Sequence, residues 1–197
     1  TPPGPARSQC AMRSGARGTG VTTGLLDEGV DTGPTLRARR GGIGGEAPAA
    51  ALEPRLARLG AVVLIETLSG LADGSLVATP QDAARVSHAP LLKKEDGRVR
   101  WSETAIVIER KVRAFQPWPG VTATLAGRAL KLLRTRVEPG GSGAPGTLLA
   151  ADADGLLVAC GEASALRLLE LQPESRRPMP AGAFAAGARL QPGLRFD

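Results

Sequence analysis

The 197-residue chain is 42% apolar and 22% charged, with 26 Gly and 16 Pro. That balance sits near the globular average and excludes collagen-like and fully disordered chains, and the length suits one to one and a half domains. Its formal charge is +6. The segment from Lys93 to Arg136 holds eleven basic against four acidic residues, a balance of +7, which favours a polyanionic partner, most commonly nucleic acid.

The first predicted elements lie between Gly20 and Arg37, GVTTGLLDEGVDTGPTLR. Short apolar pieces broken by Asp-Glu-Gly and Asp-Thr-Gly suit two short strands joined through tight turns. The following RARRGGIGGEAP reads as a loop, and its glycine spacing is wrong for a dinucleotide fingerprint. A helix is predicted over residues 49 to 73. Leu52, Leu56, Leu59 and Val63 share one face, and AVVLI is apolar all round, as a helix end buried on a sheet would be. Pro54 fits only if the helix begins just before it.

Residues 78 to 100 lack periodicity and read as a linker. After Trp101, Ser102 is the expected cap of a second helix. Ala105, Ile108, Val112 and Phe115 form its apolar stripe, and Glu109, Arg110, Lys111 and Arg113 its other side. VTATL, ALKLLRTRV, GTLLAAD, GLLVAC and ALRLLELQP are short runs between Gly- and Pro-rich breaks, the spacing of a small closed β-barrel. With three Phe, two Trp and no Tyr, the core is built from Leu, Val and Ala, and aromatic stacking on nucleic acid is scarcely available.

Cys10 and Cys160 stand 150 positions apart without CxxC spacing or a His cluster, so neither a disulfide nor a metal site is expected, and a reducing cytoplasm suits them. The single His88 falls in the linker, where an exposed or structural role outweighs a pH-responsive one. No apolar run approaches the roughly 18 residues that cross a bilayer, and no signal peptide is visible, so no membrane contact is expected. The chain opens on Thr1 in mid-pattern, and a fragment of a longer protein is expected.

Several strings in this order carry a resemblance. They are TGVTTGLLDEGVDTGPTL at 19–36, APLLKKEDGRVRW at 89–101, VRAFQPWPG at 112–120, DGLLVACGEASALRLLELQPESRRPM at 154–179 and LQPGLRF at 190–196. Together they resemble the methionyl-tRNA formyltransferase family over nearly all of this chain, with Phe115 to Gly120 the most discriminating stretch. The resemblance implies an α/β plus β chain in three parts. Residues 1–77 would be the C-terminal part of a Rossmann-like formyltransferase domain, 78–100 a linker, and 101–197 an OB-like barrel that binds tRNA. The co-substrates would be 10-formyltetrahydrofolate and initiator methionyl-tRNA, with no metal, and the protein would be a cytoplasmic monomer.

The resemblance also assigns residues. Asp31, in the turn with Thr32 and Gly33, matches the family's catalytic Asp. The Asn and His that work with it have no counterpart here, so this chain alone is expected to be inactive. Without the resemblance, Asp31 reads as a plain turn residue. Lys93, Lys94, Arg98, Arg110, Lys111, Arg113, Lys131, Arg134 and Arg136 are the expected phosphate-neutralising set. The competing reading is a solvated surface in a chain with 21 Arg and four Lys. Gly24, Pro54 and Gln116 depart from the family pattern and put the folding of residues 1–77 in question. The alternatives are a stand-alone RNA-binding module and a sugar-nucleotide formyltransferase.

Overall fold

A computed structural model describes residues 6–29, 31–44, 47–82, 84 and 89–197. Val30 and His88 lie outside them. Two compact units divide between Leu92 and Lys93.

In the first unit, helix α1 (Arg7–Arg13) precedes strands β1 (Gly18–Gly24) and β2 (Thr35–Gly42), which pair antiparallel, and helix α2 (Ala49–Ala72) packs on both strands. The hairpin follows from alternating small and β-branched residues in GTGVTTG. β2 runs to Gly42, so Arg37 to Gly42 belong to a strand where a loop was expected. The reason lies across the ladder. Gly20 has no side chain, and a Cβ there would come within 2.4 Å of the Arg39 carbonyl. The glycines let the two backbones approach at a segment whose own composition favours a loop.

α2 buries the two ends of the face expected of it, Leu52 and Val63 at 2% exposure or less, leaves Leu56 and Leu59 half-buried, and continues that face through Thr67. Thr67 Oγ1 shares a 2.8 Å hydrogen bond with Thr23 Oγ1 of β1, and Glu66 receives Arg39 at 2.6 Å. Pro54 lies inside the helix, five residues after its first residue, and removes one backbone donor there. The apolar run after Gly60 is a correction. Only Val63 is buried, while Val62, Leu64, Ile65 and Leu68 are 46–66% exposed among the described residues. The two-stranded sheet contacts one face of the helix, so a run apolar on every side leaves the rest in solvent.

The second unit opens on a 3-10 turn, Lys94–Gly97, and helix α3 (Ala105–Ala114). Ala105, Ile108, Val112 and Phe115 are all at 1% exposure or less, the stripe that the spacing predicts. The cap differs. Thr104 is the N-cap residue, and the Ala105 N–H donates to Ser164 Oγ at 2.9 Å, so the hydroxyl comes from 59 residues away rather than from Ser102.

Strands β3 (Val121–Leu125), β4 (Arg128–Glu138), β5 (Leu148–Asp152), β6 (Gly155–Ala159) and β7 (Ala165–Pro173) form an antiparallel sheet in the order β3-β4-β7-β6-β5. The short β8 (Met179–Pro180) pairs β7 and leads into helix α4 (Ala181–Ala188). Leu130, Leu132, Leu156, Val158, Leu166, Leu168 and Leu171 are fully buried and make the core with α3. The expected closed barrel does not form. The strand path ends at β3 and β5, and the C-terminal residues make only isolated bridges toward these edges, Phe196 with Leu125 and Arg195 with Thr147. Strand spacing carries no information about edge-to-edge pairing, which is a long-range contact. Among the described residues no helix is long and apolar enough to cross a membrane.

Candidate functional site

Asp31 sits in the loop between β1 and β2. The loop is closed at its base by the Leu25 N–H donating to the Pro34 carbonyl at 2.9 Å. Asp27 organises its middle, accepting from the Gly29 N–H at 3.1 Å and from Thr32 Oγ1 at 2.6 Å. Gly33 passes so close to the start of the loop that a Cβ would lie 1.8 Å from the Leu25 carbonyl oxygen. From the other side Gln81 Nε2 donates to the carbonyls of both Asp31 and Gly33, at 2.8 and 2.7 Å. Asp31 itself takes φ +58°, a left-handed conformation that Asp tolerates better than most residues.

Held this way, the Asp31 carboxylate lines a cleft of about 250 Å³ together with Arg7, Thr22, Leu25, Asp27, Thr32 and Gln81. It forms an ion pair with the Arg7 guanidinium and keeps 38% of its side chain exposed. A carboxylate so placed can accept hydrogen bonds from, and balance the charge of, a cationic partner entering the cleft. It offers no donor to an oxyanion. Arg7, Asp27 and Gln81 escaped the sequence reading. Asp27-x-Gly29 carries the signal of an Asx turn; Arg7 and Gln81 carry none, because they reach the loop only through the fold.

The basic set lies in the second unit and is uneven. Lys93, Lys94, Arg98 and Arg134 are exposed, and Arg110 and Lys131 half-buried. Lys111 is a correction: it is 7% exposed, and its ammonium donates to the Arg98 carbonyl at 2.8 Å with Glu103 at 3.9 Å. Lying beside Val112 and one turn after Ile108, it faces the core side of α3 and is not available to a phosphate. Arg113 is paired with Glu109 one turn earlier on the helix and is 17% exposed. Arg136 pairs with Glu138 at 2.7 Å while remaining 58% exposed. Arg167, which the sequence reading passed over, bridges Glu138 and Asp152 at 3.2 and 2.9 Å. The Arg136 hydrogen bond, helped by the field of both arginines, holds the Glu138 carboxyl below its usual range although desolvation opposes it.

Strand register orders the remaining cations. Arg98 bridges Thr122, Thr122 pairs with Lys131, and Lys131 with Gln172, so these four form one row across the sheet. Arg134 stands opposite Glu170 beyond a bulge in β4. Among the described residues no group of three or more His, Cys, Asp or Glu could hold a metal ion.

Comparison with known proteins gives this geometry a family. Residues 91–189 match the family described as formyl transferase, C-terminal domain. A methionyl-tRNA formyltransferase of Myxococcus xanthus is 46% identical over 190 residues, covering 96% of this chain, and one of Geobacter sulfurreducens is 44% identical over 93% of it. The chain spans about 60% of the length of the curated relatives it matches. Among solved structures, HypX from Aquifex aeolicus in complex with tetrahydrofolic acid superposes with a TM-score of 0.66 at 22% identity, over 93% of this chain and 33% of that one. The methionyl-tRNA formyltransferase from Clostridium thermocellum gives 0.52 at 17% identity, over 81% and 64%. These likenesses are of fold. With half of its residues in the C-terminal domain that formyl transferases share, the chain belongs to the formyl transferase family.

Proposed function

We propose that this chain serves the transfer of a formyl group from 10-formyltetrahydrofolate to the α-amine of initiator methionyl-tRNA. The observation that carries this reading is 46% identity, along 96% of the chain, to a protein named for that reaction. In the reaction the amine nitrogen bonds to the formyl carbon and loses a proton, the tetrahedral oxyanion collapses, and the bond to N10 of the folate breaks as N10 takes up a proton. Asp31 would orient and stabilise a cationic general acid–base partner and help take that proton. Preorganised donors to the oxyanion, each worth on the order of 100-fold or more, would have to come from groups other than Asp31. The folate-bound state of HypX supports the choice of donor.

In this reading residues 1–77 belong to a Rossmann-like domain and, with Gln81 of the joining segment 78–100, supply the Asp31 cleft, while residues 101–197 act as an OB-like platform for tRNA. Lys93, Lys94, Arg98, Arg110, Lys131, Arg134 and Arg136 would neutralise phosphates and position the aminoacyl end without reading bases. A sugar-nucleotide substrate is less favoured, since the curated relatives at 41–46% identity carry the name methionyl-tRNA formyltransferase.

The test is a chimera in which these 197 residues replace the matching part of the Myxococcus xanthus relative. Formylation of methionyl-tRNA is expected, and Asp31→Asn in that chimera should lower turnover at least 100-fold with tRNA affinity unchanged. A folded chimera that binds tRNA but transfers no formyl group would leave only an RNA-binding module. Full turnover in Asp31→Asn would return Asp31 to the role of turn residue.

A further inference from the structure

The turn that follows α3 places one of the chain's two tryptophans in water. Trp101 is 5% exposed and packs on Phe196 with ring centroids 5.1 Å apart, whereas Trp118 is 55% exposed. The exposure is not that of a loose loop. The turn is tied at its start by Phe115, fully buried, and at its end by the Gly120 N–H, which donates to the Phe115 carbonyl at 2.9 Å. Between them the Gln116 amide is hydrogen-bonded to the Leu133 carbonyl of β4. A turn anchored on both sides that still holds an indole out of the core forgoes the hydrophobic gain of burying it.

Cations surround that ring's turn. The Lys131 ammonium reaches the Pro117 carbonyl at 3.4 Å, and the Lys131 stem crosses Gly120, where φ is +75° and a Cβ would lie 2.5 Å from Lys131 Cε. On the other flank Gly97 abuts the Gly120 carbonyl, a Cβ there falling within 2.2 Å of its oxygen. Arg98 follows Gly97 directly, is exposed, and bridges Thr122 two residues beyond Gly120. Of the two carboxylates in the 3-10 turn, Asp96 is engaged by the Lys93 N–H at 2.7 Å and Glu95 faces solvent. An exposed indole on a turn flanked by Lys131 and Arg98 matches an unstacked nucleobase whose neighbouring phosphates lie on the cations.

We propose that Trp118 is a stacking platform for an unpaired base of a single-stranded RNA segment, with Lys131 and Arg98 on the adjoining phosphates. The proposal deepens the tRNA-binding reading and rests on it for the biological ligand. Trp118 holds the RNA and touches no reacting atom, which makes it a positioning residue.

The full chain is titrated with tRNA, with oligo(A) of ten nucleotides and with a fully paired RNA duplex, following intrinsic fluorescence. Because Trp101 is buried, quenching by RNA reports Trp118. Oligo(A) and tRNA are expected to quench, and the duplex is not. Trp118→Ala should weaken oligo(A) binding roughly tenfold, the worth of one stacked base, while the slope of log affinity against log salt stays unchanged. Trp118→Phe should keep most of the affinity, and Lys131→Gln should flatten the slope instead. Quenching by oligo(A) without tRNA binding would sink the tRNA reading and leave the platform standing. Binding of tRNA or oligo(A) without quenching, equal affinity in Trp118→Ala, or no binding of either RNA would overturn the platform.

Discussion

Cys160 and Lys111 illustrate how burial, not residue type, decides what a side chain can do. Cys160 is 2% exposed at the end of β6, its thiol directed to the Val158 carbonyl at 3.6 Å. Desolvation pushes its pKa from 9.0 up to about 12 against a backbone hydrogen bond from Leu166 that favours the thiolate. A thiolate-dependent reagent at pH 8 is therefore expected to modify the half-buried Cys10 first and Cys160 only on unfolding. The sign of the linkage follows: the folded thiol holds its proton more tightly than the unfolded one. Its contribution to stability is complete below pH 9 and declines as pH rises from 9 toward 12. Urea melts at pH 8 and 10.5 should show the loss, and Cys160→Ala should remove that part of the pH dependence. Rapid labelling of both thiols in the folded chain would refute the buried placement. Lys111 reads in sequence as one more surface cation, and only its place one turn after Ile108 hints otherwise. Helical spacing alone cannot say whether a long amphipathic stem ends in water or at a carbonyl.

At the scale of elements, local periodicity was legible wherever one face of a helix decides the packing. The stripes Leu52–Val63 and Ala105–Phe115 are read straight from their 3.6-residue spacing. Caps, strand ends and edge pairing were not, because each depends on a distant partner: Ser164 for the start of α3, Thr19 and Gly18 for the end of β2, Phe196 for the edge of β3. Glycine positions show the same division. Gly155 opens β6 at φ +130°, and a Cβ there would meet the Leu168 carbonyl oxygen at 2.0 Å, whereas Gly187 in α4 has nothing within 4 Å. Gly155→Ala is expected to cost about 2–3 kcal/mol or more through backbone strain and the lost β6–β7 approach. Gly187→Ala should stabilise α4 by about 0.5–1 kcal/mol. Urea denaturation of the two variants reads both values, and equal effects would contradict the observed packing.

Across the whole molecule the charge of +6 is concentrated in one stretch, yet the fold does not present all of it. Each phosphate neutralised should contribute about −0.7 to −0.9 to the slope of log affinity against log salt. Lys94→Gln and Arg98→Gln are each expected to flatten the slope for tRNA by roughly that amount. Arg113→Gln, whose guanidinium is largely buried against Glu109, should leave it unchanged. Filter binding at a series of salt concentrations makes the comparison, and a uniform response of all three would mean that net charge rather than placement governs binding. The short β8 and the helices α1 and α4 were not written in the sequence, while the family, the helices α2 and α3, seven of the eight described strands and the +7 window were. Each is a property of residues near one another along the chain, or of motifs compared residue by residue. Tertiary structure decided which cations face water, that the sheet stays open, that Arg7 and Gln81 hold the Asp31 loop and that Trp118 stands exposed. Those outcomes depend on contacts between residues tens of positions apart, which local pattern does not encode.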